Sequence, residues 1–286
     1  MTDAVHPLAV AVWQAASTPR DVDANLAALD AVAARAAADG AHLLITPEMY
    51  VSGYNIGESM AGIAARQPLE RVRRIAERHR IAIIAGGPEL LDPAEADPTE
   101  TTPANADPGP PVANAAWFID DTGEVLARHR KIQLFGELDR DLFVAGDAPL
   151  TIAEFRGHRI AILICFDVEF PETVRAAALA GADLVAVPTA QMEPYGFVNE
   201  HVIRVRAWEN SVYVAYANQH GPDGELRYVG RSVIADPFGV HVAQADPSGE
   251  ALIFGDVDRT ARERARRQNP YLDEVRTALF RSDERT

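Results

Sequence analysis

Apolar runs and helical repeats alternate through the first third of the chain. Short apolar runs at residues 8–13, 42–46 and 81–85 have the length and continuity of buried strands. Between them, residues 22–38 and 69–79 carry apolar side chains at helical spacing. This alternation predicts a layered α/β domain rather than a β-sandwich or a helix bundle.

The remainder of the chain adds mostly strands. Strands are predicted at 115–119, 124–129, 151–155, 158–164, 183–187, 211–218, 228–236, 240–245 and 251–257, and helices at 173–180 and 198–209. No linker divides these elements, so one domain is expected over residues 1–286, with a charged helical tail from about residue 259.

Residues 88–113 interrupt the pattern. They contain seven prolines and many acidic residues, and no Lys or Arg occurs between Arg80 and Arg128. This composition predicts an extended, solvated surface loop.

Composition and charge exclude several classes of partner. The formal net charge of −15 argues against nucleic acid or an anionic membrane surface as the main partner. No apolar stretch approaches the ~20 residues of a membrane span, and the first residues lack the pattern of a signal peptide. A single cysteine allows neither an intramolecular disulfide nor a Cys-rich metal site. We therefore expect a cytoplasmic protein that needs no metal or organic cofactor.

That single cysteine, Cys165, ends an apolar run just before a helical segment. Free backbone N–H groups and a helix dipole at such an elbow would favour a thiolate, although a lone cysteine is as readily a small buried hydrophobe. Glu48 and Lys131 also lie at or just beyond the ends of predicted strands, where ligand sites of layered α/β folds form. Each alone has an ordinary explanation, but together they supply the base, cation and nucleophile of an acyl-transfer site.

Three motifs carry a resemblance to a known family. Residues 44–49 read LITPEM, residues 130–135 read RKIQLF and residues 164–172 read ICFDVEFPE. In this order they resemble the nitrilase (carbon–nitrogen hydrolase) superfamily, and the resemblance extends from about residue 8 to about residue 257. Residues 135–139 and 143–147 are most similar to aliphatic amidases of the stereoselective type.

The resemblance implies a Glu48–Lys131–Cys165 triad. It also implies a four-layer αββα sandwich with mixed sheets, whose subunits commonly pair sheet to sheet, so a homodimer or higher homo-oligomer is expected. Many members carry a second active-site carboxylate after the lysine, for which Glu137 is the first candidate and Asp139 the alternative.

The expected reaction is hydrolysis of a small-molecule carboxamide through a thioester. Glu48 would accept the thiol proton and later donate it to the leaving amine, so we expect partial burial to raise its pKa. Lys131 and the N–H of Phe166 would stabilise the oxyanion. Residues that follow the catalytic elements are expected to line the cleft: Tyr54, Phe166, Glu172, Ala190, Gln191 and Tyr195. Asp167 is interpreted as a charge at the N-terminus of the next helix.

Other functions on the same fold remain alternatives. Nitrilase, N-carbamoyl amino acid hydrolase and ω-amidase chemistry would use the same triad, and a non-catalytic scaffold would use only the fold. Carbamoyl-acid and dicarboxylate substrates need an additional cation, and no Lys or Arg near the motifs is clearly placed to supply it. A doubly wound nucleotide-binding domain is disfavoured because no Gly-x-Gly-x-x-Gly sequence begins a helix.

Overall fold

The computed structural model describes residues 6–92 and 110–276. Within them the strands are β1 Leu8–Gln14, β2 Leu43–Ile45, β3 Ala82–Leu90, β4 Val112–Ile119, β5 Val125–Arg130, β6 Thr151–Phe155, β7 His158–Ile162, β8 Leu184–Thr189, β9 Tyr213–Asn218, β10 His220–Asp223, β11 Leu226–Val229, β12 Val233–Ala235, β13 His241–Gln244 and β14 Ala251–Val257. The α-helices are α1 Val22–Ala38, α2 Ser59–Ala64, α3 Pro68–His79, α4 Gly136–Arg140, α5 Pro171–Leu179, α6 Ile203–Asn210, α7 Arg259–Gln268 and α8 Tyr271–Glu274.

Twelve of these strands form two six-stranded mixed sheets. One sheet has the order β14-β1-β2-β3-β4-β5 and the other the order β13-β12-β9-β8-β7-β6. In each sheet three consecutive strands run parallel, β1-β2-β3 and β7-β8-β9, and antiparallel strands flank them. The parallel strands are mostly apolar because both of their faces are covered.

Three apolar clusters divide the molecule into four layers. One cluster combines inward side chains of both sheets, such as Val12 and Ile45 with Ile162 and Ala186. A second packs α1, α2 and α3 on the outer face of the first sheet, and a third packs α5 and α6 on the outer face of the second. This arrangement confirms the predicted αββα sandwich.

Local signals set the ends of the first helix. The side chain of Asp21 accepts a hydrogen bond from the Ala24 N–H at the N-terminus of α1, and Gly40 follows its C-terminus with φ +87°. Because both signals lie within a few residues of the helix, the predicted range 22–38 agrees with the structure.

Two sequence predictions differ from the structure. The strand predicted at 228–236 is broken at Gly230, so that β11 pairs with β10 while β12 joins the second sheet. At Gly230 the φ is +60°, and a Cβ would lie 2.4 Å from the Pro247 carbonyl oxygen. The loop predicted at 88–113 is strand at both ends, since β3 continues to Leu90 and β4 begins at Val112. Residues 93–109 of that loop lie outside the described residues.

No helix in the described ranges is both long and apolar enough to span a lipid bilayer.

Candidate active site

Glu48 lies three residues beyond β2 and is fully buried. Its Oε1 accepts hydrogen bonds from Lys131 Nζ at 2.8 Å and from Asn114 Nδ2 at 2.7 Å. Its Oε2 has no hydrogen-bond partner among the described residues. Burial raises the pKa of the Glu48 carboxyl, as expected, and the charge of Lys131 opposes this shift only in part.

Lys131 follows β5 directly and is also buried. Its ammonium donates to Glu48 Oε1 and, at 2.6 Å, to Asp139 Oδ2. Burial alone would lower the pKa of Lys131, but the charges of the two carboxylates outweigh it and raise that pKa. Lys131 therefore carries its charge at neutral pH.

The second carboxylate beside Lys131 belongs to Asp139 and not to the first candidate, Glu137. Both lie in α4, but Asp139 is fully buried whereas Glu137 is exposed. Asp139 also accepts hydrogen bonds from the Phe135 N–H and from the Tyr54 hydroxyl. The short helix α4 directs the side chain of Asp139 toward Lys131 and leaves that of Glu137 in solvent. Glu137, the first candidate, therefore does not lie beside Lys131.

Cys165 begins a five-residue 3-10 turn, Cys165–Glu169, that follows β7. Its φ of +45° lies in the left-handed region, which costs a residue other than glycine about 1–3 kcal/mol. The thiol is 7% exposed and donates a hydrogen bond to Gln191 Oε1 at 3.8 Å.

The thiol does not have the lowered pKa that a strand-to-helix elbow predicts. Burial and the charge of Glu48 raise the pKa of Cys165 well above its usual range, and the Lys131 ammonium opposes them only in part. The next α-helix starts six residues later, at Pro171. The resting side chain is therefore a thiol that needs a base.

A narrow cleft of about 250 Å³, including its open mouth, lies above the thiol. Its lining residues are Tyr54, Lys131, Phe135, Cys165, Phe166, Glu169, Ala190, Gln191, Met192 and Tyr195. Five of the six predicted substrate-binding residues are among them. The sixth, Glu172, is exposed on the first turn of α5 and does not line the cleft.

Comparison with known proteins identifies the family. The carbon-nitrogen hydrolase family matches residues 9–267, which include every element of the cleft. The chain belongs to the carbon–nitrogen hydrolase family. It is an enzyme of that class, and its solved structural neighbours are amidases of the nitrilase superfamily.

Three relatives indicate where in the family this hydrolase lies. It is 41% identical to a hydrolase in the pqqF 5′ region of Pseudomonas protegens, over 96% of this chain and 92% of the relative. It is 30% identical to an (R)-stereoselective amidase of Pseudomonas sp., over 83% of this chain and 80% of the relative. A cysteine-to-alanine mutant of the amidase from Nesterenkonia sp. AN1, in complex with butyramide, is 33% identical with a TM-score of 0.82 over 96% of both chains.

Asp167 connects the 3-10 turn that begins with Cys165 to the segment that follows Lys131. Its fully buried carboxylate accepts hydrogen bonds from the N–H groups of Ile132, Gln133 and Ile164 and lies 3.0 Å from His129 Nε2. It therefore holds the segment after Lys131 against the turn that carries the thiol. As interpreted from the sequence, Asp167 is an acidic residue at a helix N-terminus, since it lies in the first turn of the 3-10 turn and accepts a hydrogen bond from the preceding Ile164 N–H. The sequence did not indicate its additional hydrogen bonds to Ile132 and Gln133.

Sequence reasoning missed four residues of the site. Asn114 was detectable, because it is a single amide inside the apolar strand β4 and a buried polar group needs a partner. Phe135 and Met192 belong to apolar or loop segments in which no local signal distinguishes lining residues from core residues. Glu169 lines the cleft because it ends a 3-10 turn, and that turn has no clear sequence signal.

No group of three or more His, Cys, Asp or Glu side chains is arranged to hold a metal ion within residues 6–92 and 110–276.

Gly86 packs directly against the backbone of Glu48. A Cβ at Gly86 would lie 2.7 Å from the Pro47 carbonyl oxygen, 2.8 Å from the Met49 nitrogen and 2.9 Å from the Glu48 Cα. Because these are backbone atoms, Gly86→Ala must displace the loop that carries the carboxylate. We expect kcat/KM for a carboxamide to fall about 10- to 100-fold and stability to fall by about 1–3 kcal/mol.

The adjacent glycine provides the matched control for this prediction. A Cβ at Gly87 would meet the side chain of Leu69 at 3.3 Å and that of Val51 at 3.4 Å, both able to shift slightly. Gly87→Ala should therefore retain kcat/KM within about threefold. Steady-state kinetics and thermal unfolding of both variants check this, and equal losses at the two positions would contradict the explanation.

Proposed function

We propose that this hydrolase converts small carboxamides to carboxylates and ammonia through a thioester on Cys165, with Glu48 and Lys131 completing the triad. The observation that carries the proposal is the buried carboxylate of Glu48. One of its oxygens is held by Lys131 and Asn114, while Oε2 is unpartnered among the described residues. The charge of this carboxylate contributes to the raised pKa of the Cys165 thiol.

Acylation begins with proton transfer. Glu48 accepts the proton of the Cys165 thiol, and the sulfur forms a bond to the amide carbonyl carbon while the carbonyl oxygen takes the negative charge. Lys131 lines the cleft as a fixed cation and, with the N–H of Phe166, stabilises this oxyanion. Such preorganised donors are typically worth about 3 kcal/mol of the barrier each.

Collapse of the tetrahedral intermediate reverses the role of Glu48. The carboxyl group gives its proton to the leaving nitrogen, the C–N bond breaks and ammonia departs, leaving the thioester. Glu48 then takes a proton from water, whose oxygen attacks the thioester carbon, and the proton passes to the departing sulfur. The raised pKa of Glu48 suits a group that must both accept and donate a proton near neutral pH.

Asp139 supports this chemistry by holding Lys131. With Glu48 on one side and Asp139 on the other, the ammonium is fixed at two points, and the Tyr54 hydroxyl and the Phe135 N–H fix Asp139 in turn. We therefore assign Asp139, rather than Glu137, as the second carboxylate of the site, with a positioning role.

The charges of the cleft favour a simple amide over the acidic substrates of related enzymes. Lys131 is the only cationic residue in the described lining, and two carboxylates already bind it. A dicarboxylate monoamide or an N-carbamoyl amino acid would bring a carboxylate with no cation left to receive it. A homo-oligomer and a cytoplasmic location stay predictions of the sequence.

Ammonia release from acetamide, propionamide and butyramide tests the proposed reaction. We expect turnover of these neutral amides, and much slower release from the matching nitriles and from N-carbamoyl amino acids. Turnover of nitriles or ureido acids alone would replace this proposal with one of the alternatives on the same fold.

The pH profile should reflect the buried carboxylate. Glu48 must be ionised to accept the thiol proton, so activity is lost as pH falls through the pKa of Glu48. Because burial raises that pKa, the acid limb of kcat/KM should lie above about 4.3, the value for an exposed glutamate. A profile of butyramide hydrolysis checks this, and an acid limb at or below the exposed value would argue against Glu48 as the base.

A further inference from the structure

One carboxylate in the cleft has no role in the reaction proposed above. Glu169 lies at the end of the 3-10 turn that begins with Cys165, and its half-buried side chain lines the same cleft. Its Oε1 accepts a hydrogen bond from Gln191 Nε2 at 3.5 Å, a long contact that leaves capacity for a stronger donor.

Among residues 6–92 and 110–276, no ion pair joins a cation to this carboxylate. Arg206, whose charge acts on Glu169 from outside the cleft, donates to the backbone oxygens of Val168 and Glu169 and pairs with Glu209 at 3.0 Å. Lys131 is bound by Glu48 and Asp139. The described ion pairs include none that joins either cation to the Glu169 side chain.

Aromatic rings line the same cleft as Glu169. The ring of Phe135 lies 5.2 Å from that of Phe166 and 5.5 Å from that of Tyr195, in edge-to-face arrangements. A carboxylate beside aromatic faces is an environment that attracts an organic cation through an ion pair and cation–π contacts. An anion would be repelled by the same surface.

We propose that Glu169 is a specificity residue that receives a protonated amine of the substrate, so that the preferred substrates are amino-substituted short carboxamides. This inference rests on the proposed amidase function and names the substrate class of that site. Gln191 holds Glu169 by one hydrogen bond, and the ammonium of the substrate supplies the charge that the protein leaves unpaired.

Isosteric pairs of amides test the proposal on the wild-type enzyme. In glycinamide, β-alaninamide and γ-aminobutyramide, an ammonium replaces the terminal methyl of propionamide, butyramide and pentanamide. We expect kcat/KM for at least one amino amide to exceed that of its isostere by about 10-fold or more, since a charged hydrogen bond is gained at constant shape. The chain length with the largest ratio locates the amine relative to the thiol.

Glu169→Gln separates charge recognition from a structural role. The amide oxygen can still accept from Gln191, but the negative charge is lost. We expect the ratio of kcat/KM values, amino amide over isostere, to fall about 10- to 100-fold. Glu172→Gln is the matched control, because it removes the same charge three residues later from an exposed position outside the cleft, and its ratio should stay within about twofold of wild type.

The pH dependence of this ratio provides a second measurement. Burial raises the pKa of Glu169, and the Gln191 hydrogen bond and the charges of Lys131 and Arg206 oppose that shift only in part. The preference should therefore be lost as pH falls and Glu169 takes up a proton. For glycinamide it should also be lost as pH rises above about 8, where an α-amino group loses its proton, whereas the amines of β-alaninamide and γ-aminobutyramide keep their charge to higher pH.

The outcomes distinguish the two proposals. Neutral amides hydrolysed at rates equal to or above those of all three amino amides would overturn the role of Glu169 and leave the amidase proposal intact. A ratio unchanged by Glu169→Gln would do the same. Absence of ammonia release from every amide, neutral or amino, would overturn the proposed function and this inference with it.

Discussion

Replacement of Cys165 by alanine is expected to lower kcat for butyramide hydrolysis by about 10⁴-fold or more, because the acyl group then has no nucleophile to accept it. The side chain is small and lines the cleft, so the fold should be retained. Cys165→Ser should be nearly as inactive, since the hydroxyl is a much weaker acid than the thiol in the same buried site. Steady-state ammonia release measures both variants.

Mass spectrometry supplies the complementary result. The chain has one cysteine, so any thioester must form on Cys165. Intact wild-type protein mixed with excess amide and quenched in acid should gain the mass of one acyl group, and Cys165→Ala should gain none. Activity of Cys165→Ala within about tenfold of wild type would contradict a thioester route.

Asp139→Asn should produce the second largest loss. The substitution removes one of the two charges that hold Lys131 and can turn an amide N–H₂ toward the ammonium. We expect kcat to fall about 10²- to 10³-fold, because the cation that stabilises the oxyanion is displaced. Stability should fall by about 3 kcal/mol, since a fully buried ion pair loses one partner.

Glu137→Gln is the matched control for that result. It removes a carboxylate from the same short helix, but from an exposed position two residues earlier. Its kcat should stay within about twofold of wild type and its stability within about 0.5 kcal/mol. Kinetics at a temperature where both variants are folded, together with thermal unfolding, measure the two effects separately. A large loss in Glu137→Gln with little loss in Asp139→Asn would reverse the assignment.

The elements that the sequence predicted best are those whose signals are local. The apolar runs that became β1, β2 and β3 are continuous because parallel strands are covered on both faces, and α1 is bounded by its own cap and stop. The strand predicted at 228–236 failed because its break depends on the carbonyl of Pro247, a contact with a distant loop. The conformational propensities of neighbouring residues do not predict a break that depends on such a contact.

In the candidate site, too, the sequence predicted the features that depend on local signals and missed those that depend on tertiary contacts. The sequence alone indicated that Glu48, Lys131 and Cys165 end their strands at one edge, because residue type and strand end are both local properties. The sequence did not show whether Glu137 or Asp139 is the second carboxylate of the site. That depends on which side chain of the short helix α4 points toward Lys131. Sequence reasoning also gave the wrong direction for the pKa of Cys165, because the elbow was expected to favour a thiolate.

The sequence by itself thus determined the chemical groups of this hydrolase and the order in which the fold presents them. Only the tertiary structure decided their proton affinities, the second carboxylate beside Lys131 and the place of Glu169 in the cleft. The physical reason is that desolvation and neighbouring charge set a pKa or a specificity. For Glu48, Lys131 and Cys165, the burial and the charges come from segments that are far apart in the chain and meet only after folding.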